Sequence, residues 1–446
     1  MEERASSTKN LKRVLGFGDL MGVAFGYIIG AGIMTLLGSA IAMTGRSVPF
    51  AFLLAAVITI CQFLPTIITA GTVRLRGGSY TMVAMLCGKQ LAGTQVIIFL
   101  FQSMSMAMYT LSFGSYFCSL FGLPAVYERF IGFGVLTLLY AVNLMGVDKF
   151  AKTQRVISAT LILALGLFAG FGMGKIQPGY FASEGFFTGG VFGFLQAAGM
   201  LTFALGGGSG VVSLSAEAKN PTRDIPLVAI ISTVVVAVIY ALVGFVGAGV
   251  LPVEEVAGQN LTVVASVVMP KFAYVFFVAC GAGLALVSPI NGQLATGPRP
   301  VMQMCDDGWL PRKLATLNKN GSPWVIQTWL YVMGALATFA NLSVSTLVSL
   351  SIVAGGFISV CMNLCVMRLP VVCPEEWAAS KFKLPKPLLV LACLIGGGAS
   401  AFNVFINARN LTPALLGLNV VVVIGALCFG VLRGRRVEME ISYEKA

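Results

Sequence analysis

"GYIIGAGIM", Gly26 to Met34, sets Gly30 and Gly32 in the middle of an apolar run. Glycine inside a helix costs roughly 1 kcal/mol relative to alanine, so two of them at the centre of a segment that otherwise reads as one long helix mark a place where the chain leaves it. The interrupted run is one of twelve. Stretches apolar and long enough to cross about 30 Å of hydrocarbon fall at 18–42, 47–70, 92–121, 130–146, 153–174, 189–216, 226–250, 271–297, 324–341, 343–367, 386–407 and 411–432. Hydrophobic residues make up 57% of the 446 and charged residues 10%, with a mean hydropathy of +0.90, a composition foreign to soluble globular chains. Backbone polar groups in lipid need internal partners, so runs of this length without strand alternation predict helices. The chain reads as an all-α membrane protein of twelve transmembrane helices, embedded in a lipid bilayer.

Basic residues predict how it sits there. With the N-terminus cytoplasmic, 24 of the 29 Lys and Arg fall on inner segments, leaving Arg46, Arg129, Lys175, Lys271 and Arg409 outside. This is the positive-inside pattern, and it predicts a multi-pass protein of the cell membrane, plasma or inner, with both termini cytoplasmic. The net charge of +12 follows from that topology and from anionic inner-leaflet lipid, so no nucleic acid partner is implied. The first run is too long for the apolar core of a signal peptide and no small-residue cleavage site follows it, so it reads as a retained span.

Ten cysteines and no histidine bound the chemistry. Most of the cysteines lie in or near apolar runs, where the thiol packs as a small hydrophobe. Cys361 and Cys365 are one helical turn apart, with no histidine and no nearby carboxylate to complete a metal site. Zinc, haem and histidine proton relays drop out, and no metal or cofactor is implied. All seventeen acidic residues lie near run ends or in loops, as expected where a charge at a helix centre costs about 2.5 to 3.5 kcal/mol. An embedded enzyme therefore has no visible catalytic group, and no run supplies the continuous polar lining of a channel.

A second glycine-rich interruption, "FALGGGSGVV", lies in the sixth run, with Gly206 standing 176 residues after Gly30. Each interruption opens a set of five runs, 18–175 and 189–367, and an odd number of crossings inverts the second set relative to the first. Two further runs occupy 386–432, between cytoplasmic tails at 1–17 and 433–446. Paired glycine-broken helices in inverted halves point to a transport site at mid-membrane. The amides of Ala31, Gly32 and Ile33 would form the N-terminus of a half helix, which attracts a carboxylate. Carbonyls freed near Ile28, Phe203 and Gly206 would accept from an ammonium group. Together these are the two ends of an amino acid zwitterion. The competing reading is that the glycines let helices approach closely, which is the preferred reading for Gly22 and Gly26. In the third run Phe101, Ser105 and Met108 recur at helical spacing, either lining a wall of such a site or packing in the core.

Four stretches resemble a known family: "YIIGAGIM" in the first run, "RGGSY" after the second, "AEAKNPTRDIPLVAI" after the sixth and "CDDGWLPRKLATLNKNGSPW" after the eighth. They are similar to the amino acid, polyamine and organocation transporters, over about residues 12–432. The resemblance implies a five-plus-five inverted repeat of the LeuT type with broken helices 1 and 6, two added helices, and alternating access around a site between spans 1, 3, 6, 8 and 10. It places Ala31 and Gly32, flanked by Gly30 and Ile33, in the carboxylate-binding turn, and Ile28, Phe203 and Gly206 at the amino group. It also implies an aromatic gate at Phe203 and a side-chain reader at Gln293. Ser209 stands where many relatives carry Glu, and Thr160 and Leu161 stand at the depth where several carry a coupling Lys.

A LeuT-like ion site needs paired hydroxyls in the eighth span, and only Ser288, followed by Pro289, is offered. With no ion-coupling group at mid-membrane, the expectation is exchange or facilitated diffusion. A pocket of Ser105, Ser209 and Gln293 without a carboxylate favours neutral or polar amino acids. A polyamine, another organic amine or a cationic amino acid is the alternative substrate; a transporter-like sensor or partner-dependent subunit is the alternative class. Asp224 and Arg223, with Asp306, Asp307 and their basic neighbours, read either as salt bridges of an inner gate or as solvated loop charge. The last two helices lie outside the repeat and offer a homodimer contact.

Overall fold

The computed structural model describes residues 15–75, 78–145, 150–181, 184–214, 218–381, 383–437 and 443–444. The expected tail up to residue 14, residues 76–77 of the "RGGSY" motif and residues 215–217 heading the "AEAKNPTRDIP" motif lie outside these ranges. The described residues are almost entirely helical. The first apolar run carries α1 (Phe17–Ile28) and α2 (Ala31–Thr44), and one 3-10 turn at Gly45–Ser47 leads into α3 (Val48–Ala70). The short α4 (Gly78–Leu86) precedes α5 (Lys89–Gln102), which continues through a 3-10 turn at Ser103–Ser105 into α6 (Met106–Phe121). Then come α7 (Glu128–Leu144), α8 (Phe150–Met173) and α9 (Gly190–Leu205), the last passing into a 3-10 helix at Gly206–Leu214.

After α10 (Pro221–Gly249) lie two short helices, α11 (Val253–Val256) and α12 (Thr262–Val268). The eighth run holds α13 (Lys271–Phe276), a π-helix at Phe277–Ala282, α14 (Gly283–Thr296) and α15 (Pro298–Asp306). The chain ends with α16 (Trp324–Phe339), α17 (Val344–Cys365), the short α18 (Leu369–Val372) and α19 (Pro374–Ala379), and the long α20 (Lys386–Ala408) and α21 (Pro413–Gly434). One small antiparallel pair joins β1 (Arg74–Leu75) to β2 (Tyr443–Glu444).

Helix ends follow local chemistry. Proline stands first in α10, α15 and α21, where its missing N–H costs nothing. Ser343 and Thr412 cap α17 and α21, their hydroxyl oxygens accepting from the amides of Thr346 and Leu415, as N-caps do. The αL residue Gly122 closes α6.

Ten helical stretches among the described residues are long and apolar enough to cross a membrane, where the sequence predicts twelve spans. The difference lies at three joints. The break after Ile28 leaves α1 with 12 residues, too few to span alone. The turn at Gly45–Ser47 keeps α2 and α3 in one apolar stretch, Gly32–Ala70. The ninth run is a helix of only 16 residues, α16.

The core forms where α1, α2, α3, α8, α9, α10 and α14 meet. Its largest wholly buried side chains include Phe52, Phe168, Tyr240 and Phe277. Phe52 stands edge-on to Tyr240 with ring centroids 5.4 Å apart, and Phe168 stacks on Phe277 at 5.1 Å. Such aromatic pairs contribute about 0.5 to 1.5 kcal/mol beyond burial. On the other side of α9, α20 packs along α17 and α3, and α21 packs along α5.

Candidate functional site

The first interruption lies where the sequence predicts it. Helix α1 closes with the amide of Ile29 donating to the Phe25 carbonyl, Ile29 and Gly30 leave helical geometry, and α2 restarts at Ala31. Ala31, Gly32 and Ile33 thus form the first turn of a 14-residue helix, where amides have no acceptor inside the helix and the dipole favours negative charge. The carbonyl of Ile28 is engaged: the Tyr240 hydroxyl of α10 donates to it at 2.8 Å. Further along α2, the Tyr116 hydroxyl donates to the Met34 carbonyl at 3.0 Å and accepts from the Leu261 amide. The broken span is therefore braced from α10 on one side of the break and from α6 on the other.

The second interruption differs from its expectation. The chain beyond Leu205 does not open out; it tightens into the 3-10 helix Gly206–Leu214. Close packing is the reason. A Cβ on Gly207 would fall 2.1 Å from the Tyr27 carbonyl oxygen, and one on Gly210 would fall 2.9 Å from the Tyr27 ring. Without side chains this segment lies directly on the end of α1, so the two interruptions touch. Gly32 is likewise a contact glycine, its added Cβ coming within 2.6 Å of Ala204 in α9. Gly30 and Gly206 have room: only the Ala285 carbonyl lies near the first, at 3.6 Å, and nothing lies within 4 Å of the second. The side chains of Ala31 and Ser209 lie outside what the structure describes.

A cavity of about 510 Å³ begins at Phe203 and Gly206 and runs between α3, α5, α17 and α20 to Ser79 of α4. Among the described residues no charged side chain lines it. Of the residues singled out in the sequence whose side chains are described, Phe203 and Gly206 border this cavity, whereas Ile28, Gly30, Gly32, Ile33, Ser105 and Gln293 do not. Ser105 is buried in the 3-10 turn between α5 and α6. Met108 is wholly buried and Phe101 packs against the same apolar cluster, so both serve the core. Gln293 is half-buried on α14, and Ser288 is buried on the same helix, which packs against α2 and α8.

Sequence reasoning missed the cavity's polar residues. Gln62, Gln95, Gln102, Asn363 and Asn403 all line it, each from an apolar helix. Their signal was present, because a carboxamide at depth in an apolar span needs a partner. Gln102 crosses from α5 to α17, its amide donating to the Ser351 carbonyl at 3.0 Å. It uses space left by Gly355, where a Cβ would fall 2.2 Å from the Gln102 amide nitrogen.

At the end of the molecule near α4, charges do not pair as the gate expectation had it. Among the described residues neither Arg223 nor Asp224 makes a salt bridge: Asp224 is buried in the first turn of α10, where the helix dipole favours it, and Arg223 is exposed. Asp307 instead accepts from the Tyr80 hydroxyl at 2.5 Å and from the Gln303 amide at 3.0 Å. Burial, then the bond to Asp307, holds the Tyr80 phenol protonated well above its ordinary range. This contact ties α4 to the turn after α15. Tyr80→Phe is expected to destabilise the protein by about 1 to 2 kcal/mol, read as a lower midpoint in a thermal melt of the purified chain; an unchanged midpoint would show that the contact contributes nothing.

Comparison with known proteins agrees with this architecture. A family model described as amino acid permease matches residues 15–429. The branched-chain amino acid permease BcaP of Bacillus subtilis is 27% identical over 364 residues, covering 74% of this chain and 75% of that protein. The serine/threonine exchanger SteT of the same organism is 25% identical over 326 residues, 71% and 74% of the two chains. An uncharacterized transporter of Mycobacterium tuberculosis is 27% identical over 314 residues, 69% of each.

Proposed function

Because this chain belongs to the amino acid permease family, we propose that it is a secondary transporter carrying neutral or polar amino acids across the cell membrane by alternating access, through exchange or facilitated diffusion. The observation that carries this reading is the contact between the two interruptions. The N-terminus of α2 and the 3-10 helix that begins at Gly206 meet at the end of α1, beside a cavity whose described lining carries no charge. An α-carboxylate at the first turn of α2 receives amides and the positive end of a dipole. The amino group then lies toward the carbonyls of Ile28, Phe203 and Gly206, and the side chain toward Phe203.

In this reading the chain crosses the membrane twelve times with both termini cytoplasmic, and residues 18–175 and 189–367 are the inverted halves. Inverted halves move against one another around a fixed site, and the glycine contacts at Gly32 and Gly207 form a joint between them. The lack of charge among the described residues around the cavity supports neutral substrates over polyamines and cationic amino acids, since a buried cation without a carboxylate partner bears a large desolvation cost.

The test is competition for uptake into proteoliposomes by labelled neutral amino acids, lysine, arginine and putrescine. Neutral amino acids should compete and putrescine should not; the reverse order would overturn the assignment. Phe203→Ala is expected to weaken apparent affinity by about tenfold, the scale of one buried aromatic contact. An unchanged affinity would remove Phe203 from the site.

A further inference from the structure

We infer that Asn403 and Asn407 of α20 are positioning residues for Phe203: acting through Thr202, they tie the last turn of α9 to α17 and so set the affinity for substrate. This rests on the amino acid transport reading, in which the substrate side chain lies toward Phe203, and adds to it a helix that lies outside both inverted halves. One run of hydrogen bonds carries it. The Ser349 hydroxyl of α17 donates to the Asn407 side-chain oxygen at 3.2 Å, and the Asn407 side-chain amide donates to the Asn403 side-chain oxygen at 2.9 Å and to the Asn403 backbone carbonyl at 3.0 Å. The Asn403 side-chain amide then donates to the Thr202 hydroxyl at 2.9 Å, which in turn donates to the Gly199 carbonyl at 2.7 Å. Every link points the same way, from α17 through α20 into α9.

None of these four side chains is more than 4% exposed. Polar groups at such depth are costly unless bonded, and here both ends of each carboxamide are engaged. A satisfied buried network rigidifies the elements it joins and specifies one arrangement of them. Gly199 admits this one: a Cβ there would stand 3.0 Å from the Ile406 side chain, 3.1 Å from the Asn403 side-chain oxygen and 3.3 Å from the Asn407 amide nitrogen. Bare backbone at that point lets the two carboxamides reach α9. The run ends beside the proposed site. Thr202 immediately precedes Phe203, both border the cavity together with Asn403, and α9 gives way to the 3-10 helix at Gly206. The turn that carries Phe203 therefore has no further α-helical turn to hold its carbonyls, and the bond at Thr202 holds it from the side.

The test is saturation kinetics of labelled L-leucine and L-serine uptake into proteoliposomes, with maximal rates corrected for folded protein by size exclusion. Asn403→Leu and Thr202→Val should each raise KM about fivefold, the scale of one buried hydrogen bond. Their maximal rates should stay within about twofold of wild type, the mark of lost binding rather than lost turnover. Thr202→Ser keeps the hydroxyl and should keep the wild-type KM. The double variant Phe203→Ala/Asn403→Leu should match the loss of about tenfold expected for Phe203→Ala alone, because a residue that acts through Phe203 then has nothing to act on; independent effects would multiply to about fiftyfold. Multiplied losses, or an unchanged KM in both Asn403→Leu and Thr202→Val while Phe203→Ala raises it, would overturn the positioning role and leave the amino acid site standing. Saturable uptake of neither amino acid by wild type would overturn that site as well.

Discussion

Gly207→Ala is expected to abolish uptake, whereas Gly206→Ala, one residue earlier, is expected to leave the protein folded and active. A methyl group at position 207 would stand 2.1 Å from the carbonyl oxygen of Tyr27, 2.4 Å from its carbonyl carbon and 2.9 Å from the amide nitrogen of Ile28. All three are backbone atoms, so no rotamer change relieves the clash, and the end of α1 must separate from the 3-10 helix. Overpacking of this sort typically costs about 1 to 3 kcal/mol, and here it is concentrated at the joint on which transport depends. A methyl at position 206 meets nothing within 4 Å. Uptake into proteoliposomes, with size-exclusion profiles to confirm folding, separates the two. Equal behaviour of the variants would show that the joint is not where activity is decided.

Tyr240→Phe should reduce uptake by about tenfold with a modest loss of stability. The ring of Tyr240 is wholly buried against Phe52, and phenylalanine preserves that contact. Only the hydroxyl that donates to the Ile28 carbonyl is lost. A buried carbonyl left without its donor costs about 1 to 3 kcal/mol, and its position at the break lets α1 and α2 shift relative to α10. Initial uptake rates together with a thermal melt read both effects. A variant with a lowered midpoint but full uptake would make Tyr240 a stability residue alone.

The first interruption is legible in the sequence because Gly30 and Gly32 sit at the centre of an apolar run and are matched by a second glycine-rich stretch 176 residues later, at Gly206. The second was legible in place but not in form. Gly206, Gly207, Gly208 and Gly210 permit an extended strand or a tight helix equally well, and it is the surface of Tyr27 that selects the 3-10 helix. The π-helix at Phe277–Ala282 left no trace in "FVACGA", which reads as ordinary apolar helix. Its hydrogen-bond register belongs to the backbone, packed against α8 where Gly281 meets Ala164. The glycines around Gly207 also show why composition cannot assign roles within a break: Gly207 lies against the Tyr27 backbone while Gly206, just before it, has open space.

The cavity was the least legible feature. Its polar residues come from four helices, Gln62 from α3, Gln95 and Gln102 from α5, Asn363 from α17 and Asn403 from α20. Helical spacing along any one run does not gather them. The packing of α20 along α3 and α17, and of α5 along α17, brings them around one cavity. In the third run Ser105 and Met108 are buried outside the cavity lining, while Gln95 and Gln102 of the same helical stretch border it. The partner of Asp307 was missed for a related reason: pairing by charge pointed to nearby lysines and arginines, and the structure supplies the neutral Tyr80 from a distant helix.

The most direct measurement is counterflow in proteoliposomes without any sodium or proton gradient. Vesicles preloaded with an unlabelled neutral amino acid are compared with empty ones for entry of the labelled form. The account predicts rapid transient accumulation in the loaded vesicles and at most slow equilibration in the empty ones. Accumulation above equilibrium in empty vesicles once an ion gradient is imposed would contradict it, and would turn attention to Ser288 and the carbonyls of α1.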